Sequence, residues 1–307
     1  MLVTLSIIQI TNPHMHSTLF IALLAGLGGM LGWGVADFLA KKTIDTIGDL
    51  RTLFWQQFFG VMPLLVLFLA HPHVPAPNRF DPLFLILLGI TSAVLYLFLY
   101  AGFGKGQVSL LSPVMASYSV VVVLLSVILL GEHLSGLRIL AILVTVAGIL
   151  LISTDPQDLG RSFRNGAFKL AGLPDVIIAM LGYSFWLLYL DKFLNGKEWV
   201  FYLLAIRTVA AATLMVYAAA RRIPLGFQGK GITKYLVGIG IFDVGAFGFV
   251  SYGFSHSRYP SVIAVLSATF SLPTMILAYI FLKEKIRPFQ LAAALLIIGG
   301  IVLVTLS

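Results

Sequence analysis

The sequence predicts an all-α polytopic membrane protein, with ten transmembrane helices arranged as two inverted five-helix repeats, and three observations carry that prediction. Apolar residues make up 59% of the 307 and charged residues only 10%, against roughly 25% charged in a soluble domain. The apolar residues fall into ten runs, each near the ~20 residues that a helix needs to cross the hydrocarbon core. The chain also repeats itself. Residues Tyr100 to Leu151 superpose on Tyr252 to Leu303 at an offset of 152, pairing Ser117 with Thr269, Glu132 with Glu284, Ala141 with Ala293 and Gly148 with Gly300. The opening portions agree at an offset of 150, where Met30-Leu31-Gly32 faces Met180-Leu181-Gly182. Each copy holds five spans, an odd number, so the second enters the membrane from the opposite side to the first. Repeats inverted in this way enclose a site near the bilayer midplane.

Residues 1–17 form an N-terminal tail. Its apolar run, Leu2 to Ile10, is too short to span and lacks the basic start and small-residue cleavage pattern of a signal peptide. Met15, just ahead of the first long run, is the expected native start. The first repeat, 18–153, contains spans predicted at 18–40, 51–70, 82–103, 108–130 and 135–153. A linker, 154–172, joins it to the second repeat, 173–307, with spans at 173–194, 199–219, 233–255, 259–282 and 287–306. Gly28, Gly32, Ala36 and Ala40 stand four apart on the first span, the spacing that lets helices approach closely. Pro113 and Pro273 fall inside the fourth and ninth spans, where a missing amide donor is expected to bend the helix.

Several classes of function are set aside by what the chain lacks. It has no cysteine, hence no thiolate nucleophile and no Cys-based metal site. No Gly-x-Ser-x-Gly, Walker loop or His-Glu-x-x-His occurs, so no enzyme and no cofactor are expected, and nothing in the chain binds ATP to drive transport. His71-Pro72-His73 has no third ligand nearby and reads weakly as a metal site. The net charge of +8 is spread singly and in pairs between apolar runs, which points to membrane orientation and not to a nucleic-acid partner. Loops after odd-numbered spans carry fourteen Lys and Arg and those after even-numbered spans five. Because basic short loops stay in the cytoplasm, both termini are expected outside.

A charged side chain inside a span costs at least about 2.5–3.5 kcal/mol, so each needs a reason. Arg207 lies eight residues into the seventh span and Asp243 about nine into the eighth, and adjacent antiparallel helices could bring them together. Two readings stand: a structural ion pair holding those spans in register, or a site where Arg207 recognises an anionic group while Asp243 couples transport to a proton. Gln57 occupies the repeat position of Arg207, preceded by Gln56; one amide is expected to bond a neighbouring helix and the other a ligand. Asp37 stands one turn from Lys41, and an interfacial salt bridge is expected there. Trp33, a turn earlier on the same face, borders the cavity mouth. Tyr96, Tyr100, Tyr118 and Trp186 are the aromatic candidates for the wall, alongside Tyr183 and Tyr189 on helical spacing. Ordinary core filling or interface anchoring would equally place every one of them.

Gly131-Glu132 at the end of one apolar run, followed by Arg138, Gly148 and Ile149-Leu150-Leu151, resembles the EamA domain of the drug/metabolite transporter superfamily. Glu284, Gln290, Gly300 and Ile301 repeat the signature. The resemblance implies a ten-helix secondary transporter, often an exporter of amino acids or other small metabolites, with both termini in the cytoplasm; the loop charges here favour the reverse. It implies that the Glu marks the tight turn between the fourth and fifth helices, and capping or an interfacial pair is its physical reading. The function expected is therefore secondary active export of a small organic metabolite, an amino acid or amphipathic solute, by alternating access around a central cavity. The partners expected are that solute, protons and the lipid bilayer, with the chain working as a monomer in the plasma membrane. The rivals are a flippase of a lipid-linked intermediate and a non-transporting membrane subunit or sensor.

Overall fold

The computed structural model describes residues 13–70, 72, 81–130, 136–153, 170–194, 199–226, 229–256 and 260–306. Most of the N-terminal tail, His71 and His73, the Gly131-Glu132 turn and linker residues 154–169 lie outside the described residues. What is described is helical throughout: α1 (Pro13–Ile47), α2 (Asp49–Ala70), α3 (Asp81–Lys105), α4 (Val108–Ala116), α5 (Tyr118–Leu130) and α6 (Gly136–Ser153) in the first repeat. The second repeat supplies α7 (Leu173–Leu194), α8 (Trp199–Ala220), α9 (Gly229–His256), α10 (Pro260–Ala268), α11 (Ser271–Leu277), a π segment at Ala278–Leu282 and α12 (Pro288–Leu306). Six stretches are long and apolar enough to cross a membrane, and four shorter apolar ones, within Val108–Val122, Ile139–Leu151, Leu173–Leu187 and Pro288–Leu303, bring the total to the ten predicted. Their outer faces are apolar. Val66, Leu69 and Val216, each about two-thirds exposed, belong to an extent of bare hydrocarbon that a soluble monomer does not show.

Chain breaks follow local chemistry. α1 runs seven residues past its predicted end and stops where Gly48 adopts φ 88°, a left-handed conformation that costs glycine little. Its added turns include Lys41, which is buried. The predicted fourth and ninth spans are interrupted, not merely bent. The breaks fall at Ser117 and at Thr269-Phe270, four residues after Pro113 and four before Pro273, which are repeat-equivalent positions although the prolines are not. The hydroxyls at the two breaks do equivalent work: Ser117 Oγ donates to Val114 O at 2.6 Å and Thr269 Oγ1 to Leu266 O at 2.8 Å. Each recruits a carbonyl near the point where the helical ladder loosens.

The two repeats interlock through matched contacts. Ser117 Oγ lies 2.9 Å from Met180 Sδ, and the repeat mates Thr269 Oγ1 and Met30 Sδ are 3.3 Å apart. α6 and α12 cross at their own equivalent glycines: a Cβ on Gly148 would sit 3.0 Å from Ala293 O, and one on Gly300 2.9 Å from Ala141 O. A surface that meets its own copy in this reciprocal manner marks a two-fold relation. On the flank, Gly28 and Gly32 press α1 against Phe249 and Ala246 of α9, which is the close approach their spacing predicts.

Candidate functional site

The same pseudo-symmetry locates the site. Arg207 and Gln57, repeat mates, face each other, with Arg207 Nη1 donating to Gln57 Oε1 at 3.4 Å; a residue meets its own mate only at the axis relating the halves. Asp243 stands near the middle of the 28-residue α9, on the order of 20 Å from either end at 1.5 Å per residue. Arg207 Nη2 donates to Asp243 Oδ2 at 2.6 Å, and both side chains are buried. Helices α8 and α9 are not the packed neighbours that the sequence reading assumed: α2 lies between them and packs on both. The guanidinium passes α2 at Gly60, where a Cβ would stand 3.1 Å from Arg207 Nη1.

From this pair the polar network extends into the first repeat. Gln56 Nε2 donates to Asp243 Oδ2 at 3.4 Å, while Tyr100 Oη donates to Gln56 Oε1 at 2.5 Å. Both glutamines are therefore tied to charged or phenolic partners on other helices, where one had been expected to be kept for a ligand. The Arg207 guanidinium carbon lies 5.6 Å from the Phe247 ring centroid, within cation–π range. Its Nε is buried and has no hydrogen-bond partner among the described residues.

Two small cavities border the network. The central one, about 50 Å³, is lined by Trp33, Gln56, Tyr96, Tyr100, Tyr118 and Asp243, together with Asp37 and Tyr183. The second, about 10 Å³, is lined by Gln57, Trp186 and Arg207, and it shares Tyr96 and Tyr183 with the first. Trp33, Gln56, Gln57, Tyr96, Tyr100, Tyr118, Trp186, Arg207 and Asp243 thus each face one of two adjoining spaces. A ladder of rings separates them: Tyr118 to Tyr183 at 5.3 Å edge-on, Tyr183 to Trp186 at 5.3 Å stacked, Tyr96 to Tyr183 at 6.4 Å. Tyr189, three residues further along α7, points outward and is 58% exposed. The central space has room for only a few waters and is too small for a metabolite, so a solute enters only if the halves rearrange.

Asp37 overturns its sequence reading. Lys41 pairs instead with Asp45 at 2.7 Å, and Asp37 turns into the central cavity, where Ser112 Oγ donates to its Oδ2 at 3.0 Å. It is the second carboxylate of the cavity and the first that no cation touches among the described residues.

The profile of the EamA-like transporter family matches residues 20–154 and again 170–306. The chain belongs to the EamA-like transporter family. A search of curated proteins finds no match. Among solved structures, one crystal structure superposes with a TM-score of 0.64 over 93% of this chain and 96% of the other at 18% identity; at that identity the likeness is one of fold.

Two features of this EamA-like chain escaped the sequence reading. Asp37 was hidden by the predicted end of span one at residue 40, which placed at the interface a carboxylate that lies ten residues inside α1. Glu284, a signature residue, makes its cap across the repeats: it accepts from the amides of Val108 at 3.1 Å and Ser109 at 3.0 Å, and from the Ser109 hydroxyl. These are the free amides at the start of α4, where an anion is favoured. Its repeat mate Glu132, expected on the opposite membrane face, lies outside the described residues.

Proposed function

We propose that the protein is a secondary transporter, an exporter of a small organic metabolite carrying an anionic group, working by alternating access between the two repeats. The observation that carries this reading is the buried Arg207–Asp243 pair with its two glutamines, placed on the axis that relates the halves. A polar network at that place in an apolar bundle is costly, and a structural staple between neighbouring helices would not need α2 threaded through it. Binding a carboxylate at Arg207 exchanges one carboxylate partner for another, so the solute competes with Asp243 and the pair opens as the solute arrives. The breaks at Ser117 and Thr269-Phe270, one per repeat, are the points where the walls can flex.

Two carboxylates divide the proton role. Asp243 is held by the guanidinium, whereas Asp37 meets a hydroxyl, which can either donate or accept, and so its surroundings fit both protonation states. Proton coupling is therefore assigned to Asp37 in addition to the expected Asp243. The test uses purified protein: a metabolite screen for thermal stabilisation, then flux of the best stabiliser in proteoliposomes with and without a pH gradient. Asp37→Asn is expected to keep the stabilisation and lose gradient dependence, and Arg207→Gln to lose the stabilisation. If Asp37→Asn responds to the gradient as the parent does, the proton role returns to Asp243; if no variant and no parent shows flux, the chain is a non-transporting subunit.

A further inference from the structure

A third cavity, apolar and much the largest of these at about 520 Å³, opens on the bilayer-facing flank between α3 and α7. Its sides come from Phe84, Leu87, Val94 and Phe185, all substantially exposed, and from Thr91 and Tyr189. The Thr91 hydroxyl is already spent on Leu87 O of its own helix at 2.6 Å. The groove thus offers an occupant almost nothing but hydrocarbon and aromatic surface. Its floor is Trp186, whose Nε1 donates across to Leu88 O of α3 at 2.9 Å. Trp186 also lines the small chamber that contains Arg207. One indole therefore stands between the hydrocarbon of the bilayer and the guanidinium.

The equivalent flank of the other repeat is built differently. Gly182 lines the groove, and a Cβ there would meet the end of a flexible side chain, Leu95 Cδ2, at 2.2 Å; at its repeat mate Gly32 a Cβ would lie 2.8 Å from the backbone Phe242 O of α9. One flank is sealed by backbone, the other by a side chain that can move.

We propose that this groove is a lateral access site for membrane-dissolved carboxylates with an apolar tail: the tail lies along α3 and α7, and the head passes Trp186 to the unpartnered Nε of Arg207. This rests on the transport reading above and names a substrate class for it. The occupant is argued from complementarity at both ends, hydrocarbon on the outside and a buried guanidinium donor without a partner among the described residues on the inside. Rotation of Trp186 away from Leu88 O is the gating movement, and the Tyr183 stack continues the path into the central cavity.

The test is photolabelling of the full chain in phosphatidylcholine vesicles with octadecanoate bearing a mid-chain diazirine, with adducts mapped by mass spectrometry. Labelling of the groove at Thr91, Val94 and Phe185 is expected to exceed that of the open lipid-facing residues Val66, Leu69 and Val216. Excess octadecanoate is expected to reduce it about tenfold, and methyl octadecanoate to leave it unchanged. Thr91→Phe and Val94→Phe fill the groove from exposed positions and are each expected to remove the competable labelling. Equal labelling of groove and open surface, or equal competition by acid and ester, would mean annular lipid alone and overturn the proposal. The stabilisation screen reads the central cavity separately: metabolite binding without groove labelling rejects the lateral site and keeps the transporter, and groove labelling with neither stabilisation nor flux rejects the transport reading and with it the access role, leaving a lipid-binding groove.

Discussion

Arg207 and Asp243 are 6% and 3% exposed, so neither charge has water to fall back on. Removing one partner from such a pair leaves the other uncompensated and costs about 3–5 kcal/mol, whereas neutralising both is close to free. Asp243→Asn or Arg207→Gln alone is therefore expected to lower the melting temperature of the purified protein, and the double variant to recover most of the loss. The double variant is nevertheless expected to bind no anionic metabolite, which separates fold from function in one thermal-shift experiment. A purely structural pair would give a double variant stabilised by the same metabolites as the parent. The depth of both residues was legible from their places inside long apolar runs. Asp37 was not, because Lys41 has an acid one turn away on each side, Asp37 and Asp45, and spacing cannot choose between them; the packing of α1 against the cavity does.

At the scale of elements, α4 depends on a cap supplied by the other repeat. Glu284 follows the π segment at the end of the ninth span, beyond Lys283 at φ 56°, and reaches the first amides of α4. Losing a cap of this kind costs about 0.5–2 kcal/mol, and the charge on the acceptor puts Glu284→Ala at the upper end. Glu284→Gln keeps one acceptor oxygen and is expected to lose about half as much. The local readout is hydrogen exchange at Val108 and Ser109, which is expected to quicken in Glu284→Ala while the centre of α2 stays protected. Unchanged exchange there would show that the carboxylate is not holding the helix start. That a glutamate closes each fourth-to-fifth turn is visible in the duplicated sequence. That it caps the opposite repeat is not, since the contact joins residues 175 and 176 apart in the chain. The interruptions at Ser117 and Thr269 were likewise half legible: the prolines announce that each helix is weakened, but the exact residue depends on a hydroxyl bonding a carbonyl one turn back.

For the molecule as a whole, the duplication was readable from two constant offsets, and the reciprocal contacts of Gly148 with Ala293 and of Gly300 with Ala141, together with that of Gln57 with Arg207, are its physical result. What the offsets could not convey is how unlike the two halves have become. Arg207 answers to Gln57, Gly182 against a side chain to Gly32 against backbone, and the aromatic ladder belongs to α3, α5 and α7. Such asymmetry means that the orientation of the chain decides which side each feature serves. The ends of α1 and α3 and the start of α7 frame a vestibule of about 420 Å³ with Lys41, Asp45, Lys105 and Glu284 on its walls. This is the membrane face that carries fourteen basic loop residues against five. Lys and Arg in short loops resist translocation, so this face is expected in the cytoplasm and both termini outside. A reporter enzyme active only outside the cytoplasm is expected to work when fused after Ser307 and to be silent when inserted within linker residues 154–169. The opposite pattern would turn the vestibule outward, and an exporter would then release its solute through the basic face where this reading has it load.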